Sequence, residues 1–430
     1  MRIAFTTLGC KVNHYETQAM RELFAQAGWE IVGFSEPAEV YVVNTCTVTQ
    51  VSDKKSRQLL SQAHRRAPGA LIVAVGCYAE TAAGAVDGLP GVGLVLGTDG
   101  RREIVRRVTD ALAGKRQERE AGARKSRAFE ELSAIADSRT RATLKIQDGC
   151  DNFCAYCIIP YARGPIRSRS MESMERELLR LAAQGFSEVV LTGIHLASYG
   201  RDIPPDAAGR RPDLLDALRL ANGIPGLSRI RLGSLEPKFC DERFAAAVAG
   251  MPGVCRQFHL SLQSGSDTVL RRMNRRYTAE EYRQAVAALR DAMPDCAITT
   301  DVIAGFVGET EAEHAETLAF VRQIGFARMH VFPYSRRKGT RADGMAGHLT
   351  KAVKEARAQE LIRTGEAMER SFIDRQIGTV QEVLLEDGGA GYTGNYVRVR
   401  CPGQEGETKR VRITGREDMT AIGEEIDKHG

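Results

Sequence analysis

Short apolar runs rich in β-branched residues alternate with polar helical stretches along this 430-residue chain, and they do so in two successive series. The first reads IAFTTL, a helical stretch from Glu16 to Gln26, EIVGF, VYVVN, a polar helix over Lys54 to Arg66, LIVAVG, GVGLVLG and a basic helix from Arg101. Strands that are apolar throughout and separated by helices need cover on both faces, which a parallel α/β sheet provides. The second series starts at ATLKIQDGC and runs through EVVLTG, RIRLGSLEP, FHLSL, AITTDVIAGF and MHVFPYS. About six such units predict a partial or full α/β barrel in preference to a second open sheet. After a helix ending near Asp374 the pattern changes to TVQEVLLED, YTGNYVRVRC and TKRVRIT, separated by Gly-rich turns, which reads as a small all-β module. The expected fold class is therefore α/β. A flavodoxin-like parallel α/β domain spans residues 1–115, a partial (β/α) barrel spans 141–374 and a small β-barrel spans 375–430. Residues 116–140, charged and poor in β-branched types, read as a linker or an exposed helix.

No apolar run approaches the roughly 18 residues of a membrane span. The start, MRIAFTTLGCKVN, lacks a long apolar segment followed by a small-residue cleavage site, so a cytoplasmic protein with no membrane partner is expected. In that reducing compartment the 10 cysteines are too sparse for a disulfide scaffold, and metal binding is the first alternative to inert burial. The net charge of +5 is mild but uneven: residues 101–127 hold ten Lys or Arg against four Asp or Glu, a local excess that suits a polyanionic partner.

Cys150, Cys154 and Cys157 in GCDNFCAYCIIP form C-x-x-x-C-x-x-C directly after the strand TLKIQ, at the end of the barrel where active sites lie. Three thiolates hold three irons of a [4Fe-4S] cluster and leave the fourth open to a small chelating ligand. Cys10, Cys46 and Cys77 match no compact metal motif, yet each follows an apolar strand and precedes a helical segment. All three therefore project from one carboxyl edge of a parallel sheet, where ligands of open α/β folds bind. Two readings stand for this trio, a second three-cysteine cluster and simple burial. Cys240, Cys255, Cys296 and Cys401 share no such edge and read as buried thiols.

With Tyr156 before the third cysteine, the barrel motif resembles that of the radical S-adenosylmethionine (SAM) enzymes. The order of a three-cysteine α/β domain, a radical SAM core and a terminal β-barrel resembles the methylthiotransferases, with a TRAM domain last. The strings TLGCKVNHYET, VVNTCTVTQVSDKKSRQ and VGCYAE are similar to the MtaB branch, the threonylcarbamoyladenosine tRNA methylthiotransferases. LTGIHLASYG, RLGSLEP, HLSLQSGSDTVLRRMNRRYT and DVIAGFVGET resemble the family's strand-end motifs, with Val307 where proline is usual and a looser turn is expected.

The resemblance implies two [4Fe-4S] clusters, with SAM as radical source and methyl donor, and tRNA as substrate. A reductant such as flavodoxin or ferredoxin is implied too, and the sulfur donor stays unknown. The reaction implied is methylthiolation of carbon 2 of N6-threonylcarbamoyladenosine at tRNA position 37. The barrel cluster reduces SAM and the edge cluster carries the sulfur. Two rivals remain: a ribosomal protein side chain as target, and a non-catalytic iron-sulfur carrier or RNA-binding protein. Around SAM, Tyr156, Thr192, Gly193, Glu236, Gln263, Ile303 and Gly305 are the expected contacts; Gln263 also reads as a satisfied barrel residue and His195 as a loop orienter. Arg163, Arg167 and Arg169 follow the cluster motif and are expected to meet substrate carboxylate or phosphate. Lys409, Arg410 and Arg412, with Tyr392 and Tyr396, are expected to meet RNA.

Overall fold

The computed structural model describes residues 1–115, 121, 128–134 and 140–426. Its first unit is an all-parallel five-stranded sheet in the order β2-β1-β3-β4-β5. The strands are β1 (Arg2–Thr7), β2 (Glu30–Val32), β3 (Val40–Thr45), β4 (Leu71–Gly76) and β5 (Val92–Val95). Every residue of the central strand β3 is buried, as a strand covered on both faces requires. Helix α1 (Lys11–Gln26) follows β1, α2 (Gln50–Arg66) follows β3 and α3 (Cys77–Thr81) follows β4. Helix α2 starts four residues before the expected Lys54 because Thr49 caps it, its hydroxyl accepting the Ser52 N–H at 3.1 Å.

The second unit has six parallel strands in two sheets of three. One sheet runs Arg229–Leu232, Glu188–Thr192, Arg141–Lys145, and the other Gln257–His259, Ala297–Ala304, Arg328–Pro333. Bridges Ile230↔Val254 and Leu235↔Leu260 join them, so all six follow chain order across one curved wall. The first and last strands are unpaired with each other among the described residues, so the barrel is the partial one of the two expected forms. Leu144, Val189, Leu191, Ile230, Leu232, Phe258, Ile298 and Val302 from these strands enter the largest apolar core.

Much of the expected linker, residues 116–120, 122–127 and 135–139, lies outside the described residues. The part described, 128–134, differs from an exposed helix. Leu132 and Ala134 are buried in the main core, and the Leu132 carbonyl accepts from both the Tyr15 hydroxyl and Arg169. This segment is a strap tying the first unit to the second.

Helix Lys351–Asp374 leads into a closed five-stranded barrel of Val380–Asp387, Ala390–Thr393, Arg398–Arg400, Thr420–Glu425 and Thr408–Glu417. The single run YTGNYVRVRC becomes two strands because Tyr396, at φ +67°, turns the chain between them. Thr420–Glu425 has no sustained apolar alternation and escaped the sequence reading. No described helix is long and apolar enough to cross a membrane.

Candidate active site

Cys10, Cys46 and Cys77 stand at the carboxyl ends of the neighbouring strands β1, β3 and β4. The loops touch. A Cβ added at Gly9 would meet Cys46 Sγ at 3.0 Å, and one at Gly76, φ +90°, would lie 2.3 Å from Asn44 Oδ1, so both positions need glycine. Asn13 laces the edge together, its amide donating to the carbonyls of Leu8 at 2.8 Å and Thr45 at 3.0 Å. The Thr45 hydroxyl donates to the Val75 carbonyl and accepts from the Ala79 N–H, which fixes the Cys46 loop against the Cys77 loop.

The second trio forms a tight loop. Cys150 N–H donates to Gly164 O at 3.1 Å, Cys157 N–H to Cys154 O at 2.9 Å and Ala155 N–H to Met273 O at 2.8 Å. Arg275 donates to Cys154 Sγ at 3.2 Å and lies 4.7 Å from the Tyr277 ring centre. Sequence reading passed over Arg275 inside the quoted string MNRRYT, since nothing local marks which arginine turns inward.

Both trios fit iron-sulfur ligation. Burial pushes the Cys77 and Cys157 thiols up to about 12 and Cys150 up to about 11, and raises Cys46 too. Neighbouring thiols add to the rise at Cys77 and Cys157, so a bound cation would favour the thiolate at both. No three His, Cys, Asp or Glu side chains among the described residues converge on a single-ion position, so the fit rests on the shared edge and loop of each trio.

The structure corrects the reading of the arginine series. Arg163, Arg167 and Arg169 are fully buried, and their partners belong to the protein. Arg163 pairs with Glu16 at 2.9 Å and Asp148 at 3.0 Å and donates to Asn13 Oδ1 at 2.7 Å. Arg167 pairs with Asp99 at 2.5 Å, and Arg169 donates to Ser173 Oγ and Leu132 O. Lys145 and Arg101 also meet Glu16, at 2.9 and 3.0 Å. Burial alone would raise the Glu16 carboxyl, but Arg101, Arg163 and Lys145 bring it down to about 2. The carboxylate that Arg163 meets is thus an internal one, because a desolvated guanidinium needs a permanent partner.

The residues expected around SAM fall into two groups. Tyr156 and Ile303 pack against the cluster of Ala155, Phe306 and Tyr334 beside the second trio. Gln263, at φ +67°, donates to Asp301 O and accepts from Ile303 N–H, both at 2.9 Å. Glu236 accepts from His195 Nε2 at 3.1 Å and lies 3.8 Å from Arg275; those contacts outweigh burial and hold its carboxyl at about 2. His195 also meets Asn152 at 3.1 Å and so orients the cluster loop, as expected. Thr192 and Gly193 stand apart from this group, on a separate cavity. A Cβ at Gly193 would strike Gln147 at 2.8 Å, and one at Gly305, φ +69°, would strike Lys354 at 2.5 Å, so packing accounts for both glycines. Gly305→Ala should destabilise the protein by at least ~1–2 kcal/mol from the left-handed backbone alone, measured by thermal unfolding. Nor is the turn at Val307 loose: Val307 is buried, and Glu309 N–H donates to Phe306 O at 3.0 Å.

The cavity, about 680 Å³, opens between the Cys10 loop and the barrel strands. Cys10, Lys11, Arg141, Thr192, Arg231 and Tyr396 line it, together with His259, Asp301, Arg328 and His330. A larger groove of about 890 Å³ lies between helices Glu242–Ala249 and Ala279–Ala292 and holds none of the six cysteines of the two trios. Lys11 is open to solvent through the cavity mouth although protein surrounds it, and burial with the charges of Arg141 and Arg231 lowers its pKa.

Of the residues expected to meet RNA, Tyr392 and Tyr396 instead dock the terminal barrel. Their rings stack at 4.7 Å, Arg231 lies 4.8 Å from the Tyr396 centre, and Arg229 and Arg231 donate to carbonyls of residues 392–394. Lys409 turns to Glu425 at 2.8 Å, while Arg410 and Arg412 are exposed on the outer face of strand Thr408–Glu417. In the basic stretch, Arg101 and Arg107 are buried.

A family model described as "Radical SAM superfamily" matches residues 144–321, and one described as "Uncharacterized protein family UPF0004" matches residues 2–97. "Threonylcarbamoyladenosine tRNA methylthiotransferase MtaB" of Bacillus subtilis is 39% identical, with 96% of this chain and 93% of that protein covered. The Aquifex aeolicus protein of the same name is 36% identical over 96% of this chain and 100% of its own. The "tRNA-2-methylthio-N(6)-dimethylallyladenosine synthase" of Pelotomaculum thermopropionicum is 34% identical, with coverage of 95% and 94%. Among solved structures, the radical SAM methyltransferase TsrM of Kitasatospora setae matches with a TM-score of 0.58 at 17% identity, covering 90% of this chain and 81% of that one, a likeness of fold. With near-full-length identity to these relatives and a three-cysteine loop at the carboxyl end of a partial barrel, this chain belongs to the family of radical SAM tRNA methylthiotransferases.

Proposed function

We propose that the enzyme installs a methylthio group on carbon 2 of N6-threonylcarbamoyladenosine at tRNA position 37, in the cytoplasm. The observation that carries this reading is the cavity into which Cys10 projects beside the barrel strands, large enough for a modified nucleoside. An aromatic C–H offers no acidic proton and no leaving group, and two bound [4Fe-4S] clusters with SAM would supply the radical and sulfur-transfer chemistry it needs. Cys150, Cys154 and Cys157 are the proposed ligands of one cluster, Cys10, Cys46 and Cys77 of the other. Flavodoxin or ferredoxin is the proposed class of reductant. The division into 1–115, a linker 116–140, a core 141–374 and a TRAM domain 375–430 belongs to the same reading.

The chain's own residues then have the following parts. Arg275 orients Cys154 through its 3.2 Å hydrogen bond and stands by the ionised Glu236, which is free to accept ribose hydroxyls of SAM. Tyr156, Gln263 and Ile303 surround the same space and exclude water from it. Tyr396 brings the terminal barrel to the rim of the cavity, and the exposed Arg410 and Arg412 are its phosphate contacts.

The reading is tested with anaerobically reconstituted enzyme, SAM and one tRNA carrying threonylcarbamoyladenosine, isopentenyladenosine or plain adenosine. Mass spectrometry of the nucleosides should find the methylthio product on the first substrate only. Equal turnover on all three, or product on the isopentenyl tRNA alone, contradicts it.

A further inference from the structure

Lys11 is the first residue of α1, where the positive end of the helix dipole disfavours a cation, and no acidic residue occupies that turn. Among the described residues it makes no ion pair and no hydrogen bond, whereas the other cations of the cavity are engaged. Arg141 and Arg231 meet Glu188, Arg141 also meets Glu386, and Arg328 is 3.8 Å from Glu369. Glu188 is already shared by Arg141, Arg229 and Arg231, and burial with the charges of Arg141 and Arg231 outweighs its pull on Lys11. Asp301, the one carboxylate among the cavity's lining residues, lies 3.4 Å from His259. Lys11 thus stands at the positive end of a helix dipole with no ion pair among the described residues, on a cavity beside a cysteine of the first trio. Such an arrangement is stable when an anion completes it.

We propose that Lys11 binds the carboxylate of the threonylcarbamoyl group of the target adenosine, a specificity contact that rests on the function proposed above. The side group hangs from N6, so its carboxylate travels with the base into the barrel mouth, whereas backbone phosphates run along the rim. Val190 and Leu232 give the cavity apolar side chains for the base, and Lys11 shares its lining with Cys10. The contact also ties recognition to reaction, since the residue that reads the side group is joined to a proposed ligand of the sulfur-carrying cluster.

The test uses the reconstituted full-length enzyme and two anticodon stem-loops, one with threonylcarbamoyladenosine and one with the same group as its carboxamide. Fluorescence anisotropy should show the wild type binding the carboxylate loop about tenfold tighter or more. Lys11→Met should bring the two loops within about twofold of each other, and Lys11→Arg should keep the preference. Iron content of each variant checks that the neighbouring cluster site is intact. A tenfold preference retained by Lys11→Met overturns the proposal, and equal weakening of both loops by that variant overturns it in favour of an RNA phosphate. A wild type that methylthiolates an isopentenyladenosine loop and ignores both threonyl loops instead overturns the parent reading of the function.

Discussion

Alanine at Cys10, Cys46 and Cys77 together is expected to lower the iron of the reconstituted protein from about eight to about four atoms and to abolish methylthiolation, while SAM cleavage without tRNA continues. The two trios sit on different scaffolds. The first stands on the edge of the flavodoxin-like sheet, and the second is held by Gly164, Met273 and Arg275 of the barrel. Alanine at Cys150, Cys154 and Cys157 should retain about four irons and lose SAM cleavage as well as product. Helix α3, which begins at Cys77, packs against helix Ile159–Arg163, so circular dichroism must accompany both variants. Loss of all iron from either folded variant would refute the two-cluster assignment.

Arg163→Met is expected to cost about 3–5 kcal/mol of stability, the usual consequence of removing one partner from a buried ion pair. Glu16 and Asp148 would stay buried with fewer cations, and Asn13, which laces the Cys10 and Cys46 loops, would lose its guanidinium donor. Adding Glu16→Gln should not recover the loss, because Lys145 and Arg101 would then lose the buried carboxylate they share with Arg163. Denaturant titration measures both, and a cost below about 1 kcal/mol for the single variant would contradict the network's role. Its pH dependence has a definite sign. With the Glu16 carboxyl held at about 2 against an ordinary 4.5, its contribution is complete above 4.5 and is lost as the pH falls toward 2. Acid should therefore loosen the junction between the flavodoxin-like sheet and the barrel.

The alternation of strands and helices, the compact Cys150, Cys154 and Cys157 loop and the terminal β module were legible in the sequence because each is a local pattern. Strand period, glycine before a cysteine and close cysteine spacing survive without knowledge of partners. The relation of Cys10, Cys46 and Cys77 was also legible, since strands of a parallel sheet put all their following loops on one edge. What failed was the fate of individual charges. Arg163, Arg167 and Arg169 lie near the cluster motif in sequence, yet tertiary packing gave them Glu16, Asp99 and Asp148 as partners, from segments up to 147 residues away. Tyr392 and Tyr396 have the chemistry of RNA contacts, yet Arg141 and Arg231 of the barrel claimed their faces.

Lys11 shows the converse. It is an ordinary lysine beside a cysteine until the fold leaves it without an ion pair among the described residues and sets it on a cavity. The sequence determined the elements, their order and the strand ends on which the thiols stand, because these follow from short-range periodicity and spacing. Only the tertiary structure decided which cations are internal struts and which one opens on a cavity. Pairing across long separations is settled by desolvation, which penalises any buried charge left without its opposite.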